Sequence, residues 1–483
     1  MPKAKRKTSK EKLAFKALEY NNRRPLPSSV IKPVDGDLEF NKRPLAVASA
    51  IELEQNLALF GWAIRTWLAF TASFKFQANT GDPKKDAALE TYVAERTRAR
   101  GCDAQRVFSL WQMLRSYGGL RVLHGDSAML KVVGGKLQLV EGWQIAKGKG
   151  APKNVTASGL VMDSDQMAVE SYAVCKGPSS SQLVHAQLVN WPDVIFDRFG
   201  LRPSFRGVSP LLPAFETARY YMTAAEFYWF KIKIASMFGL AIFSDENTSG
   251  GLGFQYNTGG TNVTADGATK PAPLQYDLKP GIKLHLGKDS RAEFLESKSP
   301  PAEFLAYAKH SIRMMLAGLN IPYSLWDSEG ATYSAQRADF NLFKQTAIEE
   351  REKNQLAGHD ALEHLLQHDD AAGRLPAGLT YEKIDWELVP TANFILDLGK
   401  EVDAYTKLIG IGARTHDDVA RELGSLRSFR DNVLIQAEEL RLAKEQSVPL
   451  IRGVNPGAAQ TGTEQAPAAS PDTEDAPRPH NKG

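Results

Sequence analysis

Cysteine is almost absent: Cys102 and Cys175 are the two in 483 residues. Two thiols that far apart supply no zinc-ligand spacing, and they fit a reducing compartment better than a disulfide framework. An excess of one charge is also missing. Lys and Arg total 59 and Asp and Glu 56, a net charge of +3, which does not announce a dedicated nucleic-acid binder. No run of about 18 uncharged apolar residues occurs. The best, IASMFGLAIF at 234–243, is too short to cross a bilayer, and the start shows no apolar signal segment. Neither secretion by a recognisable signal nor membrane spanning is expected. GxxxxGK[ST], GxSxG and HExxH do not occur, so the phosphate loop, the nucleophile elbow and the helical zinc motif have no carrier. GLGFQYNTGG (251–260) has glycines but lacks the strand–helix context of a dinucleotide site.

What the sequence does have is ordinary globular composition, 43% hydrophobic and 24% charged, over a length that suggests about three domains. Its most unusual stretch is RGVSPLLPAFETARYYMTAAEFYWFKIKIASMFGLAIF, residues 206–243. Ser209 followed by Pro210 reads as a helix start, and Pro213 still falls in the first turn. Leu211, Phe215, Ala218, Met222, Ala225, Trp229 and Ile232 step by alternating fours and threes, a heptad-type seam. Tyr221, Phe227, Tyr228 and Phe230 lie off that seam. A helix on a single core needs one apolar stripe. This one calls for partners on more than one side, either by central burial in a large domain or by a second copy of the chain.

The first 24 residues are strongly basic and read as a solvated arm or a polyanion contact. Residues 51–70 are helix-like and SFKFQ strand-like. Helices are predicted from Asp82 to Arg100 and from Asp103 to Gly118, the latter with Val107, Leu110, Trp111 and Leu114 on one face. From about 120 to 200 the text becomes short, β-branched and turn-punctuated, a small β-rich unit. A Gly/Thr/Asn-rich insertion follows the aromatic helix, with the strand-like LKPGIKLHL and AEFLES after it. A second helix starts at Ser299–Pro300, carries Leu305, Ala308, Ile312, Met315 and Leu319 as a seam, and ends by Pro322. After YSLWDSEGAT a long third helix starts at Tyr333, charged in its middle. The segment after Asp385 holds WELVP, then helical text from Leu396 to Ile409. Thr415 with Asp418 makes a capping-box start and Gly424 a stop. From Gln446 the chain turns Pro-, Ala-, Thr- and acid-rich and reads as disordered and dispensable for folding.

Chemistry has thin candidates. His364 and His368 share a helix face, with His359, Asp360 and Asp369 nearby, a conceivable metal site or an ordinary solvated helix end. Asp163 and Asp165 in MDSDQM are a possible carboxylate pair or a turn. IGARTHDDVARELG with SFRDNVLIQAEELRLAKE has a helix-turn-helix outline, but its bases are offset by acids. A chain this long without a catalytic constellation shifts weight to a structural or assembly protein. The two rival classes are a non-phage ring-forming assembly protein and a metal-dependent nucleic-acid enzyme on the His359–Asp370 cluster.

The order of parts resembles the portal proteins of tailed bacteriophages, specifically the lambda-type family. The resemblance is carried by RGVSPL opening a long helix, the Gly/Thr-rich insertion, GLNIP closing a second helix, Tyr333, Ser334 and Arg337 opening a third, and the late IGARTHDDVARELG. It spans roughly residues 40 to 440. It implies an α+β portal-type fold with a mixed α/β wing, long stem helices, a small β-containing clip and a helical crown. The implied segments are an N-terminal arm (1–40), wing (41–205), first stem helix (206–238), clip (239–298), second stem helix (299–319), tunnel loop (320–332), a long helix returning to the wing (333–395), crown helices (396–445) and a tail (446–483). It further implies no enzymatic activity and no cofactor. The expected assembly is a dodecameric homo-oligomeric ring at one capsid vertex of the virion, with double-stranded DNA passing through its axis. Terminase, capsid and scaffold proteins and a head-tail adaptor are the implied partners. Tyr323, Trp326, Asp327, Glu329 and Gly330 are expected to meet DNA at the tunnel loop, with Gly330 a pivot and the acids limiting adhesion. Tyr221, Phe227, Tyr228 and Trp229 are expected at the subunit interface.

Overall fold

The computed structural model describes residues 42–165, 168–200, 202–237, 241–244, 262–263, 269–270, 290–293, 302–391, 398–423, 425, 427 and 429–446. The expectations for the basic arm, LKPGIKLHL, Gly424 and nearly all of the tail lie outside those residues. The chain divides into two compact units, Met1–Asp397 and Leu398–Gly483.

The first unit opens with α1 (Lys42–Asn56) and α2 (Ala58–Thr71), then β1 (Phe74–Ala78). α3 (Pro83–Arg96) is capped by Asp82, whose carboxylate accepts the Lys84 N–H, with proline at the first position. A short α4 (Ala99–Cys102) follows. α5 spans Leu110–His124, displaced from the helix expected over 103–118. The reason is Asp103. It is buried, and its carboxylate accepts the N–H groups of Gln105 (2.9 Å), Val107 (2.8 Å) and Phe108 (2.9 Å), which makes a loop of the segment. Ser109 and Gln112 then form a reciprocal capping box. LRVLH, read as the start of a strand, continues the helix until Gly125, at φ +88°, closes it.

The β-rich unit is present as β2 (Asp126–Val132), β3 (Lys136–Glu141), β4 (Leu160–Met162), β5 (Val169–Lys176), β6 (Val184–Asn190) and β7 (Val194–Arg198). They form two antiparallel three-stranded sheets, ordered β3-β2-β7 and β4-β5-β6. Alternate residues of both meet in one core around Leu130, Val140, Leu160, Tyr172, Val174 and Val194.

The aromatic helix, α6, runs from Phe215 to Met237 rather than from Ser209. Pro210 and Pro213 remove amide donors, and the chain between them and Phe215 is a 3-10 turn, Leu212–Ala214. Leu211, Phe215 and Ala218 of the expected seam are buried and Met222 packs on the same core. The seam runs out by Trp229, which is 68% exposed. After it come the short antiparallel pairs β8 (Ala241–Ser244) with β11 (Ser290–Glu293) and β9 (Asn262–Val263) with β10 (Thr269–Lys270).

α7 (Ala302–Ala317) stops before Pro322, and Leu305 of its expected seam is half exposed while Met315 and Leu319 are buried. A single turn, α8 (Tyr323–Trp326), leads to α9 (Tyr333–Ala371), capped by Thr332. β12 (Trp386–Pro390) then pairs antiparallel with β1, from Phe74↔Pro390 to Ala78↔Trp386. α9 reaches two cores. Phe340, Phe343 and Ala347 join α1, α2, α6 and α7, whereas Ala361, Leu362, Leu365 and Leu366 join α3, α5, β1 and β12. The described residues are mixed α+β, and no described helix is long and apolar enough to cross a membrane.

The second unit holds α10 (Leu398–Gly410), α11 (His416–Glu422) and α12 (Phe429–Glu445). The expected cap is made: the Thr415 hydroxyl accepts the Asp418 N–H (3.1 Å) and Asp418 accepts the Thr415 N–H (2.9 Å). His416 stacks on Phe429 at 4.9 Å.

Candidate functional site

The entry to α6 is tied to the sheets by a buried arginine. Arg206 and Asp126 are both fully buried. Arg206 Nε and Nη2 donate to the two Asp126 carboxylate oxygens at 2.6 and 2.9 Å. The remaining donors reach the carbonyls of Ile145 (2.7 Å), Ser158 (2.6 Å) and Gly142 (2.7 Å). A buried ion pair is tolerable only when its spare donors and lone pairs are satisfied in this way. Asp126 also accepts the Gly207 N–H at 3.1 Å, and Ser209 donates to the Val122 carbonyl at 2.7 Å. Gly207 must be glycine because a Cβ there would run into the Gly125 carbonyl. By itself RGVSP is a helix start. Its one signal for this hub was an arginine followed directly by glycine in front of a capped, apolar helix.

Beyond that anchorage, α6 leaves its core. Tyr228 stacks on Phe304 of α7 at 4.1 Å, with ring planes 12° apart, and Tyr221 packs partly buried on the core. Phe227 (71% exposed), Trp229 (68%), Phe230 (61%) and Tyr220 (61%) face outward. Of the four aromatics singled out as interface residues, two are therefore engaged within the chain and two are open. Tyr220 and Phe230 extend the open set, and the sequence did not distinguish them because heptad phase alone cannot say where a helix parts from its core.

The 320–332 loop is more structured than a polar turn. Trp326 meets Trp62 of α2 edge-to-face at 5.0 Å and remains 40% exposed. Arg313 lies over the Tyr323 ring, 5.0 Å from its centroid. The Tyr323 hydroxyl donates to Asp327 at 2.8 Å, and Asp327 accepts the Glu329 N–H at 3.0 Å. Those two bonds, the backbone one foremost, hold the Asp327 carboxyl below the usual carboxylate range. Ser324 donates to Asp339 on α9 at 2.7 Å. Glu329 is largely exposed, 3.9 Å from Lys309, and Gly330 takes φ +73° with open space around it. The five residues expected at the loop lie within one short segment that carries two acids.

The thin chemical candidates do not converge. His364 and His368 are separated by their engagements. His368 lies 3.4 Å from Asp369, while burial, then Lys131, lowers the His364 pKa. Asp369 is fully buried, bonded by Arg96 and Tyr92 (2.8 Å from the tyrosine). Burial alone would raise its carboxyl, but those hydrogen bonds outweigh it and the pKa is lowered. His359, Asp360 and Glu363 could bring one ligand atom each within 4.8 Å of one another. However, Glu363 accepts from Tyr381 (2.8 Å) and Gln367 (3.0 Å), and His359 stacks on Trp386 at 4.4 Å. Asp163 closes a turn by accepting the Ala168 N–H at 3.2 Å.

The sequence profile of the phage portal proteins of the lambda family matches residues 33–351. The chain belongs to the lambda family of phage portal proteins. That family is structural rather than enzymatic. No curated protein matches the chain. Among solved structures, one similar chain is from the virion of a native gene transfer agent particle. It is 15% identical with a TM-score of 0.47, covering 80% of this chain and 99% of that one. Another is from the neck of an empty gene transfer agent particle computed with C6 symmetry, 13% identical, TM-score 0.47, covering 83% and 97%. A third, from the neck of the native particle computed with C12 symmetry, is 13% identical with a TM-score of 0.46, covering 80% and 99%. The family assignment of this portal protein rests on the profile match.

Proposed function

We propose that this portal protein closes into a homo-oligomeric ring, twelve subunits by family analogy, at one capsid vertex of a virion, and that DNA enters and leaves along the ring axis. The observation that carries this reading is the set of open aromatic side chains on α6. Phe227, Trp229 and Phe230 stand in solvent on a helix whose start is anchored by buried Phe215 and Ala218. Burying such a side chain contributes roughly 1.5–3 kcal/mol, and a closed ring repeats that gain at every interface. Tyr228 against Phe304 supplies the helix's partner within the chain, and an adjacent subunit supplies the second. On this reading residues 41–205 are the wing, 206–238 and 299–319 the stem, 239–298 the clip, 320–332 the tunnel loop, 333–395 the return to the wing, and 396–445 the crown. Terminase, a head-tail adaptor, and capsid and scaffold proteins dock around the ring.

The channel role is passive. Neutralising many phosphates at once would grip DNA in a salt-dependent way, and the acids Asp327 and Glu329 oppose that grip at the tunnel loop. The mass of the purified full-length protein tests the reading. A closed multi-subunit particle with a central hole in negative stain is expected, and Phe227→Asp with Trp229→Asp should shift it toward monomer. A folded monomer as the sole species at high concentration overturns it.

A further inference from the structure

We propose that residues 97–110 form a phosphate-binding loop that holds the backbone of double-stranded DNA against the sheet-bearing part of the chain, away from the tunnel loop. The proposal rests on the portal reading for its ligand. Its geometry stands apart from it. The segment reads TRARGCDAQRVFSL. Its two ends are joined by the Leu110 N–H on the Thr97 carbonyl at 2.9 Å, which makes it a closed surface loop. The inside is pinned. Cys102 is fully buried with its thiol on the Thr97 carbonyl at 3.3 Å, and Asp103 is the buried acceptor of three backbone N–H groups. The loop is also fastened to its surroundings, by Ala104 N–H on the Leu137 carbonyl at 2.9 Å and by Lys136 Nζ on the Arg100 carbonyl at 3.1 Å.

What this rigid frame presents is charge of one sign. Arg98, Arg100 and Arg106 are all exposed. Among the described residues none of the three has a carboxylate partner, whereas neighbouring Arg96 is committed to Asp369. The loop's one acid, Asp103, faces inward. Arg106 sits at φ +63°, a conformation unfavourable for an arginine. Asp103 enforces it through the flanking amides, and a held outlier of this kind points to a presented side chain. Guanidinium groups fit phosphate oxygens by paired donors. An acidic protein partner is the weaker fit, because interface anchors sit in well-packed, desolvated pockets with aromatic rings among them, and Val107 is the loop's one exposed large apolar residue.

The test uses the full-length particle and a short mixed-sequence duplex, with anisotropy titrations at several salt concentrations. The variant is Arg98→Gln with Arg100→Gln and Arg106→Asn, since asparagine tolerates φ > 0. The charge-matched control is Lys84→Gln with Lys85→Gln and Lys153→Gln, all exposed. If each arginine meets one phosphate, the loop variant should lose at least about tenfold in affinity at 0.1 M salt, and its log–log salt slope should flatten by about 2.7. The control should retain nearly all of both. Equal losses in the two variants, or no loss in the loop variant, overturn the proposal. Particle mass is measured on every sample. A wild type that forms no ring defeats the portal reading, and the loop titration still answers for itself.

Discussion

Arg206→Ala is the perturbation that separates a load on one joint from general destabilisation. It removes a guanidinium with five short donor contacts and leaves Asp126, itself fully buried, as an uncompensated charge. Breaking a buried pair by deleting one partner costs about 3–5 kcal/mol, and each of the three abandoned carbonyls adds up to about 1–3 kcal/mol if water cannot reach it. The Arg43 guanidinium, 3.5 Å from Asp126, offsets a part. A net loss of about 4 kcal/mol is therefore expected. At about 2–4 °C per kcal/mol for a large unit, the melting temperature should fall by roughly 8–16 °C. Differential scanning calorimetry of the full chain resolves this, provided the transition of the first unit is followed separately, because a two-unit chain need not melt in one step. The double variant Arg206→Met with Asp126→Leu removes both charges and should recover more than half of the loss. A drop below about 1 kcal/mol for the single variant, or a double variant no better than the single, would refute the argument that this pair carries the joint.

Gly207→Ala should also destabilise severely, since its Cβ would meet the Gly125 carbonyl, whereas Gly134→Ala, at φ +88° but in open space, should cost only about 1 kcal/mol. Urea midpoints compare the two, and equal costs would show that close approach is not what fixes Gly207. Acid should weaken the first unit. Burial lowers the pKa of His124 and of His364, so below the unfolded value of about 6.5 the unfolded chain binds more protons and stability falls with pH. The depressed Asp369 carboxyl extends the fall to lower pH. The unfolding midpoint should drop between pH 7.5 and 5.5 and drop less in His124→Gln; a midpoint that rises on acidification contradicts this. At the tunnel loop, Asp327→Lys with Glu329→Lys should leave particle mass unchanged while slowing DNA packaging or release. Full-length packaging at the normal rate would remove the loop's assigned role.

Much of this protein was legible because it is local. Thr415 with Asp418 caps its helix through groups within three residues, and the β-branched, turn-punctuated text between 120 and 200 became two three-stranded sheets. The 39-residue α9 followed from its unbroken pattern between Thr332 and Ala372. Some errors are local, as where Asp103 gathers the amides of Gln105, Val107 and Phe108 into a loop; others fall where the deciding partner is distant. LRVLH is helix because Val122 and Arg121 pack on residues far along the chain, Arg121 pairing with Asp197 and with Glu350 at 2.8 Å. Nothing near Arg206 announces Asp126, its partner from another element 80 residues away. The aromatic excess of α6 was visible as composition, but which rings turn inward was set by where α7 lies, and Phe304 takes Tyr228 while leaving Phe227 and Trp229 to the solvent. Capping and periodicity are energies of neighbouring residues, so sequence order fixes them. Burial of a charge or an aromatic ring is decided only when the chain brings in the surface that covers it.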